Sequence, residues 1–104
     1  MNRYFLLGLL LLLPGLATAQ NGSISGRIFN ADGLPMPGAV VLVSGDQTRG
    51  TSTDLNGVYS LLNVPAGERV LTVSYLGYET VTQTVTVSAG ETSTADFRLS
   101  EAAI

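Results

Sequence analysis

The stretch VLTVSYLGYETVTQTVTV, Val70 to Val87, decides the fold, because it forms either one helix or two strands joined at a glycine. Its apolar residues recur at every second position: Leu71, Val73 and Tyr75 before Gly77, then Val81, Val85 and Val87 after it. The interleaved Thr82, Thr84 and Thr86 suit the solvated face of a sheet. The spacing therefore predicts two strands, with a corner at Gly77, where a residue lacking a Cβ takes positive φ without strain. Gln83 falls in the inward phase of the valine row. Either that end of the strand is open to solvent or a bulge shifts the phase.

Working outward, the same period of two appears in both directions. Ile24, Gly26 and Ile28 alternate with Ser25 and Arg27, and Ala39, Val41 and Val43 form a second inner row, although Val40 and Leu42 make that strand apolar on both faces. Val58 to Leu62 places Tyr59 and Leu61 in phase, and Ala95, Phe97 and Leu99 alternate with Thr94, Asp96 and Arg98. A short extended piece at Gly50 to Thr53 brings the expected count to seven. Turn formers punctuate these runs: Asn30-Ala31-Asp32-Gly33, Pro35-Met36-Pro37-Gly38, Ser44-Gly45-Asp46, Asn56-Gly57, Pro65-Ala66-Gly67 and Ala89-Gly90. Short strands at such spacings, with no helical period among them, predict an all-β, seven-stranded antiparallel sandwich.

The first residues read differently. Arg3, an apolar run from Tyr4 to Leu13, a Pro14-Gly15 break and Ala17-Thr18-Ala19 have the layout of a secretory signal peptide cleaved after Ala19. The apolar run, at about 1.5 Å per residue, covers roughly half of a ~30 Å hydrocarbon core, which is short for a membrane anchor. With no cysteine in the chain there is neither a disulfide nor an attachment point for a bacterial lipoprotein anchor. The expected organisation is a signal peptide over residues 1–19, one domain over residues 20–100 and a tail over 101–104.

Composition excludes several functions. Five basic residues, all arginine, face eight acidic ones for a net charge of −3, spread rather than clustered, so nucleic-acid and anionic-lipid binding lack their usual driver. Without histidine, cysteine or lysine the usual zinc sites, Ser-His-Asp triads, thiol nucleophiles and Schiff bases have no residues to build them. Asp32, Asp46 and Asp54 lie in turn sequences and Asp96 on an outward phase, so these acids read as solvated rather than as a glycosidase pair. Thr53-Asp54-Leu55-Asn56-Gly57 shares Asp-x-Asn-Gly with calcium loops, but Val58, Tyr59, Ser60 and Leu61 follow where a bidentate glutamate is needed. A hairpin turn, with an Asx-turn from Asp54 and positive φ at Asn56-Gly57, is the simpler reading. The expected structural turn residues are thus Gly33, Gly38, Asp54, Asn56, Gly57, Gly67 and Gly77. The candidate contact surface is aromatic, Tyr59, Tyr75 and Tyr78 with Phe29 beside them, and no catalytic, cofactor or metal residue is expected.

Gly26, Asp32-Gly33, Pro35, Pro37-Gly38-Ala39, Gly50-Thr51, Thr53-Asp54, Asn56-Gly57, Tyr59, Val64-Pro65, Gly67 and Gly77-Tyr78 together form a pattern. In these marks the chain resembles the carboxypeptidase regulatory-like domain, which implies a transthyretin-like β-sandwich serving as an accessory module and not as a peptidase. A signal peptide followed by such a domain looks like the start of a TonB-dependent outer-membrane receptor that imports glycans or other large nutrients. The resemblance implies a position on the periplasmic face of the bacterial outer membrane. Its partners would be the plug and barrel of the same receptor, and energy-coupling or substrate-binding proteins. The sequence departs from that pattern in carrying no plug or barrel strand, so the tail reads as the start of a downstream region. The alternative expectation is a free-standing secreted module that binds a glycan or a protein.

Overall fold

The computed structural model describes residues 21–44 and 49–103. The expected signal peptide and the Gly45-Asp46 turn lie outside the described residues. Among the described residues eight strands follow one another: β1 Asn21–Asn30, β2 Val40–Val43, β3 Arg49–Ser52, β4 Val58–Pro65, β5 Gly67–Ser74, β6 Val81–Val87, β7 Thr92–Thr94 and β8 Phe97–Leu99. No helix occurs among the described residues, and none is long and apolar enough to cross a membrane. Two four-stranded sheets form, one ordered β3-β2-β5-β6 and the other β4-β1-β7 with β8 also on β1.

Side-chain alternation brings the sheets face to face. Ile24, Ile28, Tyr59, Leu61, Val64, Phe97 and Leu99 of one sheet and Val41, Val43, Leu71, Val73, Val85 and Val87 of the other are all buried in one core. Each fully buried aliphatic side chain contributes roughly 1.5–3 kcal/mol, so the alternating pattern itself drives closure. Gln83 is exposed, and β5 and β6 pair from Gly67↔Val87 to Val73↔Val81 without a shift. That end of β6 is therefore open to solvent, and no bulge is involved.

Three expectations about the strands need correction. The sandwich is not wholly antiparallel, since β7 and β8 both run parallel to β1, through Ser23↔Thr92 to Ser25↔Thr94 and Ile28↔Phe97 to Asn30↔Leu99. The last row is also two strands, parted at Ala95 and Asp96, which makes eight strands where seven were expected. There the Asp96 carboxylate takes over the ladder by accepting from the Arg27 N–H at 2.8 Å. Third, the strand expected to stop at Leu62 continues to Pro65 through a bulge. Between Gly22↔Val64 and Ile24↔Leu61 two residues of β4 oppose one of β1, and Asn63 takes φ 58°. The bulge returns Val64 to the core three positions after Leu61, so a period of two could not follow it.

The loops Asn30–Leu34 and Asp54–Val58 are built alike. In each, the first side chain's Oδ1 accepts from the backbone N–H groups two and four residues on, at 2.9 and 2.9 Å for Asn30 and 2.8 and 3.0 Å for Asp54. In each, the glycine N–H returns to the first carbonyl and the first N–H to the last carbonyl. Gly33 and Gly57 carry the positive φ, 84° and 75°. Asn56 does not, which corrects the expectation of positive φ at both Asn56 and Gly57. Nor is the turn the expected hairpin, since it carries the chain from β3 of one sheet to β4 of the other, and a turn closed by a left-handed glycine needs positive φ at that residue alone.

Candidate functional site

The site is the corner between β5 and β6. Tyr78 N–H donates to Tyr75 O at 2.9 Å and Gly77 has φ 87°, while Leu76 before it stays at negative φ. That is the geometry of a type II turn, in which the third residue must tolerate positive φ. Turning the chain in four residues pushes Leu76 outward, where it is 96% exposed. Tyr75 is 37% exposed, outside the inner row in which its phase put it, whereas Tyr78 is half-buried against the core. The rings meet edge to face, 5.6 Å between centroids and 72° between planes.

Two hollows flank this corner. An open cleft of about 670 Å³ is lined by Gly38, Val40, Ser74 and Tyr75 to Tyr78. A smaller one of about 260 Å³ lies between Asn30, Ala31, Asp32, Tyr78 and Glu101. Tyr78 is shared by both. The segment after β8 reaches the same place: Glu79 N–H donates to Ser100 O at 2.8 Å and Ala102 N–H to Gly77 O at 2.9 Å, an antiparallel bridge of Tyr78 with Glu101.

The structure separates the three candidate tyrosines. Tyr75 and Tyr78 come together, but Tyr59 is 1% exposed and its hydroxyl donates to Ala95 O. Tyr59 is therefore not a contact residue, because burial gives its ring to the core and its hydroxyl to a backbone carbonyl that no strand partner satisfies. Burial, and then the Asp96 carboxylate, push its phenol well above the usual tyrosine range. Phe29 is half-buried in β1, bridged to Pro35. The expected contact set did not include Val40, Leu76 and Glu101, which line the two hollows. The one available signal was a second strand apolar on both faces, which places Val40 on the outside beside the corner.

Apolar and phenolic groups and the Ser74 hydroxyl line the cleft, with no charged side chain in its wall. Among the described residues no group of three or more histidine, cysteine or acidic side chains could hold a metal ion. Asp54 Oδ1, the calcium-like position, accepts two backbone N–H groups.

The model of the carboxypeptidase regulatory-like domain matches residues 23–100. The chain belongs to the carboxypeptidase regulatory-like domain family. Within it, the chain is similar to TonB-dependent receptor P39 of Formosa agariphila, 42% identical over 76 residues, covering 69% of this chain and 7% of the receptor. It is also similar to TonB-dependent receptor P3 of the same organism, 36% identical over 81 residues, 77% of this chain and 8% of that one. This domain thus spans less than a tenth of the relatives it matches. Among solved structures, the Bacillus anthracis TIE protein superposes with a TM-score of 0.69 at 22% identity, over 79% of this chain and 17% of that one. Catechol 1,2-dioxygenase from Pseudomonas arvilla C-1 superposes with a TM-score of 0.68 at 15% identity, over 86% and 55%. At such identities these likenesses show the transthyretin-like fold alone.

Proposed function

We propose that the chain is the non-catalytic N-terminal module of a TonB-dependent outer-membrane receptor, lying on the periplasmic side and serving a receptor for glycans or other large nutrients. The observation that carries this reading is the 42% identity to a TonB-dependent receptor across most of the domain. The corner supports it physically, since it offers apolar contact and backbone groups, and the chain has no histidine, cysteine or lysine for nucleophilic or zinc chemistry. In the receptor the module would act by packing on the plug or on energy-coupling or substrate-binding proteins. The expected signal peptide, over residues 1–19, would deliver it to the periplasm.

Reading the coding DNA past Ile104 tests this. A continuous frame encoding a plug and barrel is expected, and a stop codon directly after Ile104 would remove the receptor. A free-standing glycan-binding module draws less support. Stacking on a sugar needs coplanar exposed rings, and here Tyr59 is buried while Tyr75 and Tyr78 stand 72° apart.

A further inference from the structure

We propose that the Tyr75–Tyr78 corner is the seat of the polypeptide that follows Ala103, so that the chain leaving the domain is held on it rather than swinging free. The proposal rests on the receptor reading, which supplies a polypeptide to hold.

The exit route is the first argument. After β8 the chain crosses from the β1 sheet to the corner of the other sheet, and the two hydrogen bonds of Gly77 and Glu79 with Ala102 and Ser100 fix its direction. It runs antiparallel to Gly77–Glu79, past Glu79 first and Gly77 last, toward the apex of the turn. Gly77 lines the 670 Å³ cleft, so the outgoing chain is delivered to the rim of that cleft.

The second argument is chemical match. Ala102 and Ala103, which reach the rim, are uncharged and apolar, and the sequence continues with another apolar residue, Ile104. The surface that receives them holds Leu76 at 96% exposure, with Tyr75 and Val40 beside it. A segment tethered at Gly77 has an effective concentration at the cleft on the order of millimolar, so even a contact too weak to hold a free peptide is populated.

The third argument is proportion. The relatives extend far beyond the matched region, which covers 7% and 8% of their lengths. A module so small at one end of a long receptor is positioned by its junction, and a seated junction fixes its orientation to whatever follows.

A photo-crosslinking phenylalanine analogue in place of Leu76, introduced into the full-length gene product, tests the proposal. The expected adduct joins position 76 to Ala103 or to the first residues beyond it, while the same analogue in place of exposed Leu62 on β4 gives no such adduct. Adducts only to a separate protein, or none, would overturn it. The receptor reading fails separately, if the frame closes after Ile104. In that case an adduct from position 76 to Ala103 or Ile104 still decides whether the corner holds the outgoing chain.

Discussion

The Tyr59 hydroxyl donates to the Ala95 carbonyl, and that carbonyl stands only 1.9 Å from where a Cβ on Gly26 would lie. The two strands that run parallel to β1 are parted at this point. The backbone can come so close because position 26 has no side chain, and the carbonyl it displaces from the ladder finds its donor in the ring of another strand. Ala95 N–H in turn donates to Ser25 O at 2.9 Å and Asp96 accepts from Arg27, so the Ser25 carbonyl and the Arg27 N–H keep partners where the two strands part.

Tyr59→Phe removes that donor and leaves a buried carbonyl without it. Unsatisfied buried groups cost about 1–3 kcal/mol, so the urea midpoint is expected to fall with the slope unchanged. An unaltered midpoint would show that water satisfies Ala95.

The same phenol predicts a pH dependence. Its folded-state pKa lies above the unfolded value of about 10, so the neutral form is favoured by folding. The associated stability is fully present below about pH 10 and is lost as pH rises toward the folded pKa. Denaturant midpoints measured from pH 8 to pH 11.5 should decline more steeply above pH 10 in the natural chain than in Tyr59→Phe; equal slopes would contradict the assignment.

Gly26→Ala and Gly77→Val probe two different needs for glycine. A methyl at position 26 meets the Ala95 backbone, which must shift, and a loss of about 1–3 kcal/mol is expected. At position 77 a Cβ would meet nothing within 4 Å, so the loss of roughly 1–3 kcal/mol comes from φ 87° alone. Gly77→Asn should recover part of that loss, because asparagine tolerates left-handed φ and valine does not. Thermal melts of the three variants separate steric from conformational strain.

Asp54→Asn should leave stability nearly unchanged, while Asp54→Ala lowers it by about 0.5–2 kcal/mol, in the manner of a lost cap. The reason is visible in the molecule, since Asn30 holds the matching loop with an amide oxygen in the same role. Equal losses in both variants would show that the carboxylate charge matters and that the acceptor geometry alone does not.

Thr53 is buried, and its hydroxyl accepts from Ala39 N–H while donating to Met36 O. Thr53→Val keeps the shape and deletes both bonds, so a loss of about 1–3 kcal/mol is expected. Thr53→Ser should retain most of the stability, and circular dichroism melts of the pair would tell the hydroxyl from the methyl.

Much of this protein was legible one residue at a time. Alternation in Leu71-Val73 and Val85-Val87 set which side chains are buried, and Asn30, Asp54, Gly33, Gly57 and Gly77 announced their turns, because each such preference is settled within a few neighbouring residues. The spacing of the same glycines and prolines carried the family resemblance. Three things depended on residues far apart in the chain. The parallel pairing of β7 and β8 with β1 joins segments 69 residues apart, as Arg27 and Asp96 show, and no local pattern records which strand will lie alongside. The bulge at Asn63 becomes visible only against its partner strand, since an extra residue is extra only relative to an opposite one. Three tyrosines met different fates because a ring's exposure is decided by what packs over it: β7 and β8 bring Ala95 over Tyr59, whereas Tyr75 is covered only in part, with the Tyr78 ring at its edge.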